Sequence, residues 1–382
     1  MSKQRSIFEE VSDGKITRPE TQPGLIDRGK SGARKSIRAW QGLLFLMVVA
    51  MILVGGLTRL TDSGLSITEW RPITGAMPPL SEADWQSEFK KYQAIDEFQL
   101  QNKWMQLQDF KVIYWWEWGH RQLGRVIGLV WAIGFVVFLL LRKIPPGWTI
   151  RLLLPGALGA MQGGVGWWMV YSGVTQGEGM VDVASYRLAT HLGLAFTILA
   201  LLAWNMFLLG RPERDLIQAR RFKDNKMFSL STGLMHFAFL QILIGALVAG
   251  IDAGRSYTDW PLIGGQLFPP DANILTPWWR NLFESPGLVQ WIHRTTGYLL
   301  FAFAIFVWTR GRRSSNPRTR RAFHITFAVM GSQVVLGIVT VVYGAPLQIA
   351  IIHQLLAVAL WVTILWTRYL CAYPHAVLIK GT

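Results

Sequence analysis

The chain has 382 residues, of which 51% are hydrophobic and only 16% are charged. This composition is too apolar and too poor in charge for an ordinary soluble protein of that length, so it favours an integral membrane protein. The formal net charge of +15 could suggest a nucleic-acid partner, but the basic residues flank apolar stretches, which is typical of membrane orientation, and we exclude nucleic acid.

Eight apolar stretches predict the fold class, an all-α integral membrane protein with eight transmembrane helices. A bilayer core about 30 Å thick needs roughly 20 apolar helical residues. None of the stretches has a Lys or Asp at its centre. In chain order they lie near residues 38–60, 118–142, 152–171, 187–209, 229–251, 288–309, 322–343 and 348–370.

The density of Lys and Arg sets the expected orientation. Basic residues are concentrated in an N-terminal arm (residues 1–37), a linker (211–228) and the segment 310–321. The positive-inside rule therefore places both termini, including the tail at 371–382, in the cytoplasm. Mitochondrial transit peptides avoid acidic residues. The arm is therefore not typical of one, which favours a bacterial cell inner membrane, because it contains Glu9, Glu10, Asp13, Glu20 and Asp27.

The outer loop at residues 61–117 is long for a compact domain, and we expect it to have a function. Trp85, Phe89 and Tyr92 recur at helical spacing, and Trp104, Leu107 and Phe110 follow. This pattern favours either an amphipathic helix along the outer membrane surface or a packed lid without ligand contacts of its own. The tryptophans of this loop, with Trp278 and Trp279, are typical of an interfacial aromatic belt.

The chain repeats itself. Residues 55–75 resemble residues 245–265, pairing Asp62 with Asp252, and EWGHRQLG at 117–124 matches QWIHRTTG at 290–297. MQGGVG at 161–166 has the same pattern as SQVVLG at 332–337, and THLGLAF at 190–196 has the same pattern as IHQLLAV at 352–358. An even number of helices per half makes this a parallel repeat of two four-helix bundles related by a pseudo-two-fold axis, with halves at 38–210 and 229–370.

Four histidines occupy matching positions in the repeat. His120, His191, His293 and His353 lie at the starts of the second, fourth, sixth and eighth stretches, all toward the outer leaflet. Ionisable residues inside a membrane are costly and usually serve a site. Imidazoles from two helices facing across a bundle match the axial needs of an iron porphyrin.

Zinc is the competing metal. A closed zinc site wants four nearby N, S or O ligands, whereas each half offers two histidines. The single cysteine, Cys371, also excludes an internal disulfide and any CxxC motif. We therefore favour haem, and we interpret His236, His324 and His375 as structural or solvated.

Charged neighbours distinguish the two halves. Arg121 and Arg294 follow the first histidine of each pair and could bind haem propionates, or they could extend to lipid phosphates. Glu117, one turn before His120, is replaced by Gln290 in the second half, so a carboxyl group accompanies only one site. It could transfer a proton, or it could pair with Arg121 or Arg125 for structure.

Taken together, these residues resemble the haem A synthase family. The EWxHR motif at 117–121, the segment GGLTRLTDSGLSITEWRPITG at 55–75 and the repeated histidines carry a resemblance that spans the chain from about Ala39 to Tyr369. Many bacterial members have a cysteine pair in the first outer loop, and its absence here resembles the proteobacterial and mitochondrial branch. Any mechanism that needs a thiol relay in that loop is therefore in doubt.

The resemblance implies an activity and a ligand for each pair. Haem O would be oxidised at one ring methyl to the formyl of haem A through successive hydroxylations. His120 and His191 would hold the substrate haem, His293 and His353 a permanent haem b that relays electrons, and the family's essential glutamate falls on Glu117. Candidate partners are membrane lipids, an electron donor, a haem O synthase, cytochrome oxidase assembly factors and a second copy of the chain.

Two other functions remain open at this stage. A di-haem b-type cytochrome that only relays electrons would need the same four histidines. A transporter could have a parallel repeat, but its pattern favours Gly/Pro-interrupted helices at matching positions of both halves, which this sequence lacks.

Overall fold

The structure is a computed structural model that describes residues 31–175 and 181–376. Most of the predicted N-terminal arm and the last residues of the predicted tail lie outside this part of the chain. Within it, the regular elements are helices, joined by turns and irregular segments. The expected all-helical class is therefore confirmed.

Eight helices of the described residues have at least 25 residues each. They are α1 (Ser31–Leu60), α4 (Leu107–Leu140), α5 (Thr149–Thr175), α6 (Ser185–Leu209), α8 (Asn225–Gly250), α11 (Pro286–Gly311), α12 (Pro317–Val342) and α13 (Leu347–Ala372). Shorter helices lie between them: α2 (Glu82–Gln93), α3 (Asp96–Leu100), α7 (Glu213–Arg220), α9 (Ala253–Ser256) and α10 (Asn281–Glu284).

Six of these helices (α1, α4, α6, α8, α12 and α13) are long and apolar enough to cross a membrane. The other two long helices, α5 and α11, are not among these six. α5 contains Arg151 and Gln162, and α11 contains Gln290, His293 and Arg294. A multi-pass membrane protein follows from the six apolar helices alone.

Two closed rings of helix contacts organise the structure. α1, α4, α5 and α6 contact one another in turn, and so do α8, α11, α12 and α13. The rings meet where α6 packs on α8 and α13, and where α1 packs on α13. Every helix has two neighbours in its own ring, so a ligand between the helices of one ring would be enclosed.

Local sequence signals set several helix starts. The Ser285 side chain accepts a hydrogen bond from the Leu288 amide at the start of α11, and Pro286 occupies the first turn. Asn316 and Pro317 repeat this arrangement at the start of α12. A side-chain cap satisfies amides that the helix leaves open, and proline is favoured in the first turn because its missing N–H costs nothing there.

The two connecting segments at the end of α1 and α8 lie on the same side and form caps. We call residues 61–106 the first cap and residues 251–285 the second cap. Asp62 and Asp252, equivalent in the repeat, both adopt left-handed backbone conformations, with φ of 48° and 50°. Arg59 contacts both of them at 2.8 Å, and Asp182 at 3.4 Å, so one guanidinium joins the two caps.

The first cap has a small aromatic core of its own. Helix α2 forms where the spacing of Trp85, Phe89 and Tyr92 predicted an amphipathic helix, and all three side chains are buried. Phe89 and Tyr92 pack with Phe98 and Phe110, and Trp85 packs with Tyr114. The apolar face of α2 therefore packs inside the protein, as in the packed-lid alternative, whereas Trp278 and Trp279 of the second cap remain more than half exposed.

Candidate haem sites

The structure brings the four predicted histidines together in two pairs. His120 lies on α4 and His191 on α6, both in the first ring of helices, and the two imidazoles interact electrostatically. His293 on α11 and His353 on α13 do the same in the second ring. All four side chains are half-buried.

Each histidine ring lies against a glycine of the long helix that precedes its own. A Cβ on Gly245 would stand 3.0 Å from Cε1 of His293, which is closer than real contacts allow without displacement, and the other three are similar. Glycine permits this close approach because it has no side chain. The four contacts are Gly55 with His120, Gly166 with His191, Gly245 with His293, and Gly337 with His353.

Two of the ring nitrogens are fully buried and have no hydrogen-bond partner in the described part of the chain. The Nδ1 atoms of His191 and His353 are buried and unpaired. A buried polar atom without a partner is costly, so it needs an explanation such as a missing ligand. Each ring of helices supplies two imidazoles from two different helices, and such a pair is suited to hold a haem iron.

The other three histidines have partners unrelated to these pairs. His236 Nδ1 lies 2.9 Å from the Thr232 carbonyl, and His324 Nδ1 accepts a hydrogen bond from Trp308. His375 contacts Arg318 on the opposite side of the protein from the caps. These contacts agree with the structural or solvated interpretation.

Glu117 is almost fully buried, and its two carboxylate oxygens accept four hydrogen bonds. One oxygen accepts from the Arg121 guanidinium at 2.6 Å and 3.0 Å, and the other accepts from the Ser66 hydroxyl and the Ile67 amide at 2.8 Å and 2.7 Å. Four donors match an ionised carboxylate, which accepts only. The side chain therefore joins α4 to the start of the first cap.

The second half repeats this connection with a neutral side chain. Gln290, also buried, donates to the Tyr257 carbonyl at 3.0 Å and accepts from Arg294 at 3.2 Å. Arg294 also donates to the carbonyls of Tyr257, Asp259 and Leu262. The two halves thus share one geometry and differ by one negative charge beside the first pair.

The predicted propionate contacts have other partners here. Arg121 donates to the Ile67 and Glu69 carbonyls as well as to Glu117, and Arg294 is similarly bonded to the second cap. Arg125, considered at the sequence level as a partner for Glu117, instead bonds the Arg71 and Pro72 carbonyls. The arginines hold the caps in place, and a propionate role for Arg121 and Arg294 stays a prediction.

Sequence reasoning missed a set of glutamines beside the histidines. Gln162, Gln241 and Gln333 each donate to the backbone carbonyl of a histidine on the next long helix: His191 at 2.9 Å, His293 at 2.9 Å and His353 at 3.1 Å. Each glutamine lies four residues before the glycine that contacts the same histidine. A search for the spacing QxxxG before each histidine would have found them.

The two pairs are linked through α1. Its Gly55 lies against His120, and at the next residue, Gly56, a Cβ would collide with the amide of Gln354. Gln354 directly follows His353 and donates to the Ile52 carbonyl of α1. One turn of α1 therefore contacts the first pair and the helix that carries half of the second.

Fold and site together define a helical membrane protein with paired histidines suited to haem. The chain matches the COX15-CtaA family, described as cytochrome oxidase assembly protein, over residues 38–365. It is 69% identical to the heme A synthase of Ruegeria pomeroyi and 67% identical to that of Roseobacter denitrificans, in each case over 100% of both chains. The heme A synthase of Paracoccus denitrificans is 57% identical over 99% of both chains.

These matches extend across both rings of helices. The chain therefore belongs to the haem A synthase family, as its motifs had indicated.

Proposed function

We propose that this chain is a haem A synthase, a membrane oxidoreductase that converts one ring methyl of haem O into the formyl group of haem A through successive hydroxylations. The observation that carries the proposal is the pair of inward-facing histidines in each ring of helices, each packed against a glycine of a neighbouring helix. The chain also aligns over its full length with relatives of that name. Those relatives do not favour a cytochrome that only relays electrons.

The proposed architecture has all eight long helices in the membrane. The two helix rings then form two four-helix bundles related by a pseudo-two-fold axis, with the predicted halves at 38–210 and 229–370. Support comes from the equivalent turns at Asp62 and Asp252 and the equivalent connections at Glu117 and Gln290. In a bacterial inner membrane, the caps face the periplasm and both termini the cytoplasm.

The two pairs have different ligands in this proposal. His120 and His191 hold haem O as substrate, and His293 and His353 hold a resident haem b through its iron. When bound, haem b supplies electrons to the first site. The donor set fits, because each pair presents two imidazoles and includes a buried nitrogen without a protein partner.

Glu117 provides the charge difference that the reaction needs. Its carboxylate lies one helical turn before His120 and neutralises Arg121, whereas Arg294 beside His293 has no acid equivalent to Glu117. The ion pair cancels the positive charge of Arg121, which would otherwise oppose positive charge that develops on the reacting substrate. The connection to Ser66 and Ile67 holds that charge in place.

The test is haem chromatography on membranes containing the protein together with a supply of haem O. We expect haems B, O and A with the unaltered chain. Glu117→Gln is the sharpest variant, because it removes the charge with little change in size and keeps an oxygen that can accept from Arg121 or from the Ile67 amide. It should accumulate haem O or a hydroxylated intermediate and retain haem B.

Glu117→Ala completes the series, since it removes the charge and the connection to the cap. Undiminished haem A in Glu117→Gln would remove the charge of Glu117 from the mechanism. Haem B alone in the unaltered protein, despite a supply of haem O, would contradict the synthase and support the electron-relay alternative.

A further inference from the structure

The four long helices that precede the histidine helices share one pattern, with a single departure. Three of them have a glutamine four residues before the glycine that contacts the histidine. The first has Met51 at that place. The four combinations of this residue with its glycine are Met51 with Gly55, Gln162 with Gly166, Gln241 with Gly245, and Gln333 with Gly337.

Met51 and Gln241 occupy equivalent positions in space as well as in sequence. The Cε of Met51 lies 3.6 Å from where a Cβ on Gly124 would stand, and the Nε2 of Gln241 lies 3.3 Å from the same point on Gly297. Gly124 and Gly297 are each four residues beyond the first histidine of a pair. The substitution therefore removes an amide and leaves the packing of the two helices similar.

Gln241 makes the most extensive contacts of the three glutamines. Its Nε2 donates to the His293 carbonyl at 2.9 Å and lies 3.1 Å from the ring Nδ1. Its Oε1 lies 2.6 Å from the Thr296 hydroxyl, whose single proton can go to this oxygen or to the Ile292 carbonyl, also at 2.6 Å. In the first half Leu123 replaces Thr296, so both polar partners are missing around His120.

We infer that Gln241 and Met51 are positioning residues that make the haem of the second pair permanent and the haem of the first pair exchangeable. The inference rests on the proposed function, in which both pairs hold haem. A ligating histidine is oriented by its hydrogen-bonded neighbours, and the loss of such a neighbour typically costs 10- to 100-fold in affinity. A site that must release its product benefits from a histidine without this support.

Reciprocal substitutions test the inference. Met51→Gln and Gln241→Met exchange the two residues, and the purified, haem-loaded proteins are mixed with excess apomyoglobin as haem acceptor. Chromatography of the acceptor identifies which haem has left, because the two sites hold different haems. This measures haem release and does not depend on turnover.

We expect opposite effects at the two sites. Gln241→Met should accelerate release of haem B by roughly 10- to 100-fold, and Met51→Gln should slow release of haem O and haem A by a similar factor. Thr296→Val, which leaves Gln241 in place without its hydroxyl partner, should accelerate haem B release to a smaller extent. It serves as the second variant if Gln241→Met does not fold.

Gln41→Met is the matched control. Gln41 is a fully buried glutamine of α1 that accepts a hydrogen bond from Asn205, away from both pairs. It should leave both release rates unchanged.

Unchanged release in both exchanged variants, or an equal change in Gln41→Met, would overturn the inference with the proposed function intact. A loaded protein that transfers only haem B, or that holds no haem, would contradict the proposed function itself.

Discussion

The first and second histidine pairs have the same framework and different surroundings. Both have glycine against each ring, and both have an arginine that bonds a cap beside the first histidine. Around His120 the structure places a carboxylate and a methionine, and around His293 two glutamines occupy those positions. In the proposed function, the shared framework binds haem, and these few differences decide what each site does with it.

Loss of a ligating histidine should have the largest effect and should separate the sites. His293→Ala removes one of the two proposed ligands of haem b, so the purified protein should lose nearly all haem B. His120→Ala should keep haem B and lose haem O and haem A. Haem content per protein, measured by extraction, tests both.

His324→Ala is the control for these variants, because that ring bonds Trp308 away from both pairs. It should leave both haem contents unchanged. Equal loss of haem B from His120→Ala and His293→Ala would contradict the separation of the two sites.

Filling the space beside a ring should have the next largest effect. Gly245→Val would push side-chain carbons against His293, and Gly55→Val would do so against His120. Overpacking typically costs about 1–3 kcal/mol, and a displaced ligand should weaken binding at the affected site. Haem titration of the purified variants measures this, and each should affect its own pair.

Gly119→Ala provides the comparison, since it is adjacent to His120 but a Cβ there meets no atom within 4 Å. Wild-type affinity in both valine variants would show that the glycines do not shape the sites.

A pH effect should distinguish the first cap from the second. Burial, with a smaller contribution from the nearby acids Glu117, Asp182 and Asp62 and against a hydrogen bond from Tyr92, raises the pKa of Glu97 from its ordinary value to about 8. Because the folded protein holds this proton more tightly than the unfolded chain, its contribution to stability is present below about pH 4.5 and is lost as the pH rises through about 8.

Glu97→Gln should remove that part of the pH dependence. Between pH 5 and pH 8 the wild type should lose up to about 1.4 kcal/mol per pH unit relative to the variant, seen as a steeper fall in melting temperature. Glu82→Gln, at a mostly exposed acid of the same cap, should follow the wild type. Parallel curves for wild type and Glu97→Gln would disprove the assignment.

The smallest effect is expected where a charge is added to the second site. Gln290→Glu gives Arg294 the acidic partner that Arg121 already has, and such pairs gain little because desolvation offsets attraction. We expect unchanged haem B content, measured by extraction. A large loss of haem B would show that the neutral side chain is essential to the second site.

Much of this comparison was accessible from the sequence. The eight apolar stretches correspond to the eight long helices, and the repeat placed the four histidines and the difference between Glu117 and Gln290. The start of α4 was predicted near residue 118, but the helix begins at Leu107, because one face of its first three turns packs in the aromatic core of the first cap. Hydropathy alone does not reveal burial of that kind.

The glutamine contacts were missed for a different reason. Gln162 and Gln333 were part of the aligned repeat, but Gln241 aligns with Met51, so the pattern is complete in only three of four places. A hydrogen bond from a side chain to the carbonyl of another helix depends on how far the helices are offset along their axes, which the sequence does not specify. The bonds from Arg121 and Arg294 to cap carbonyls were missed for the same reason, and their propionate contacts stay a prediction.

The contact of α1 with α13 has a consequence for how the duplicated halves depend on each other. Gln354 reaches across to the Ile52 carbonyl, and Gly56 leaves room for it. A helix of the N-terminal half is thus a packing surface for the helix that presents His353. Neither half has all of its packing surfaces without the other, so the second haem pocket should assemble only after the first half has inserted. Fragments produced by cutting at 211–228 should therefore need to be co-expressed to bind haem b.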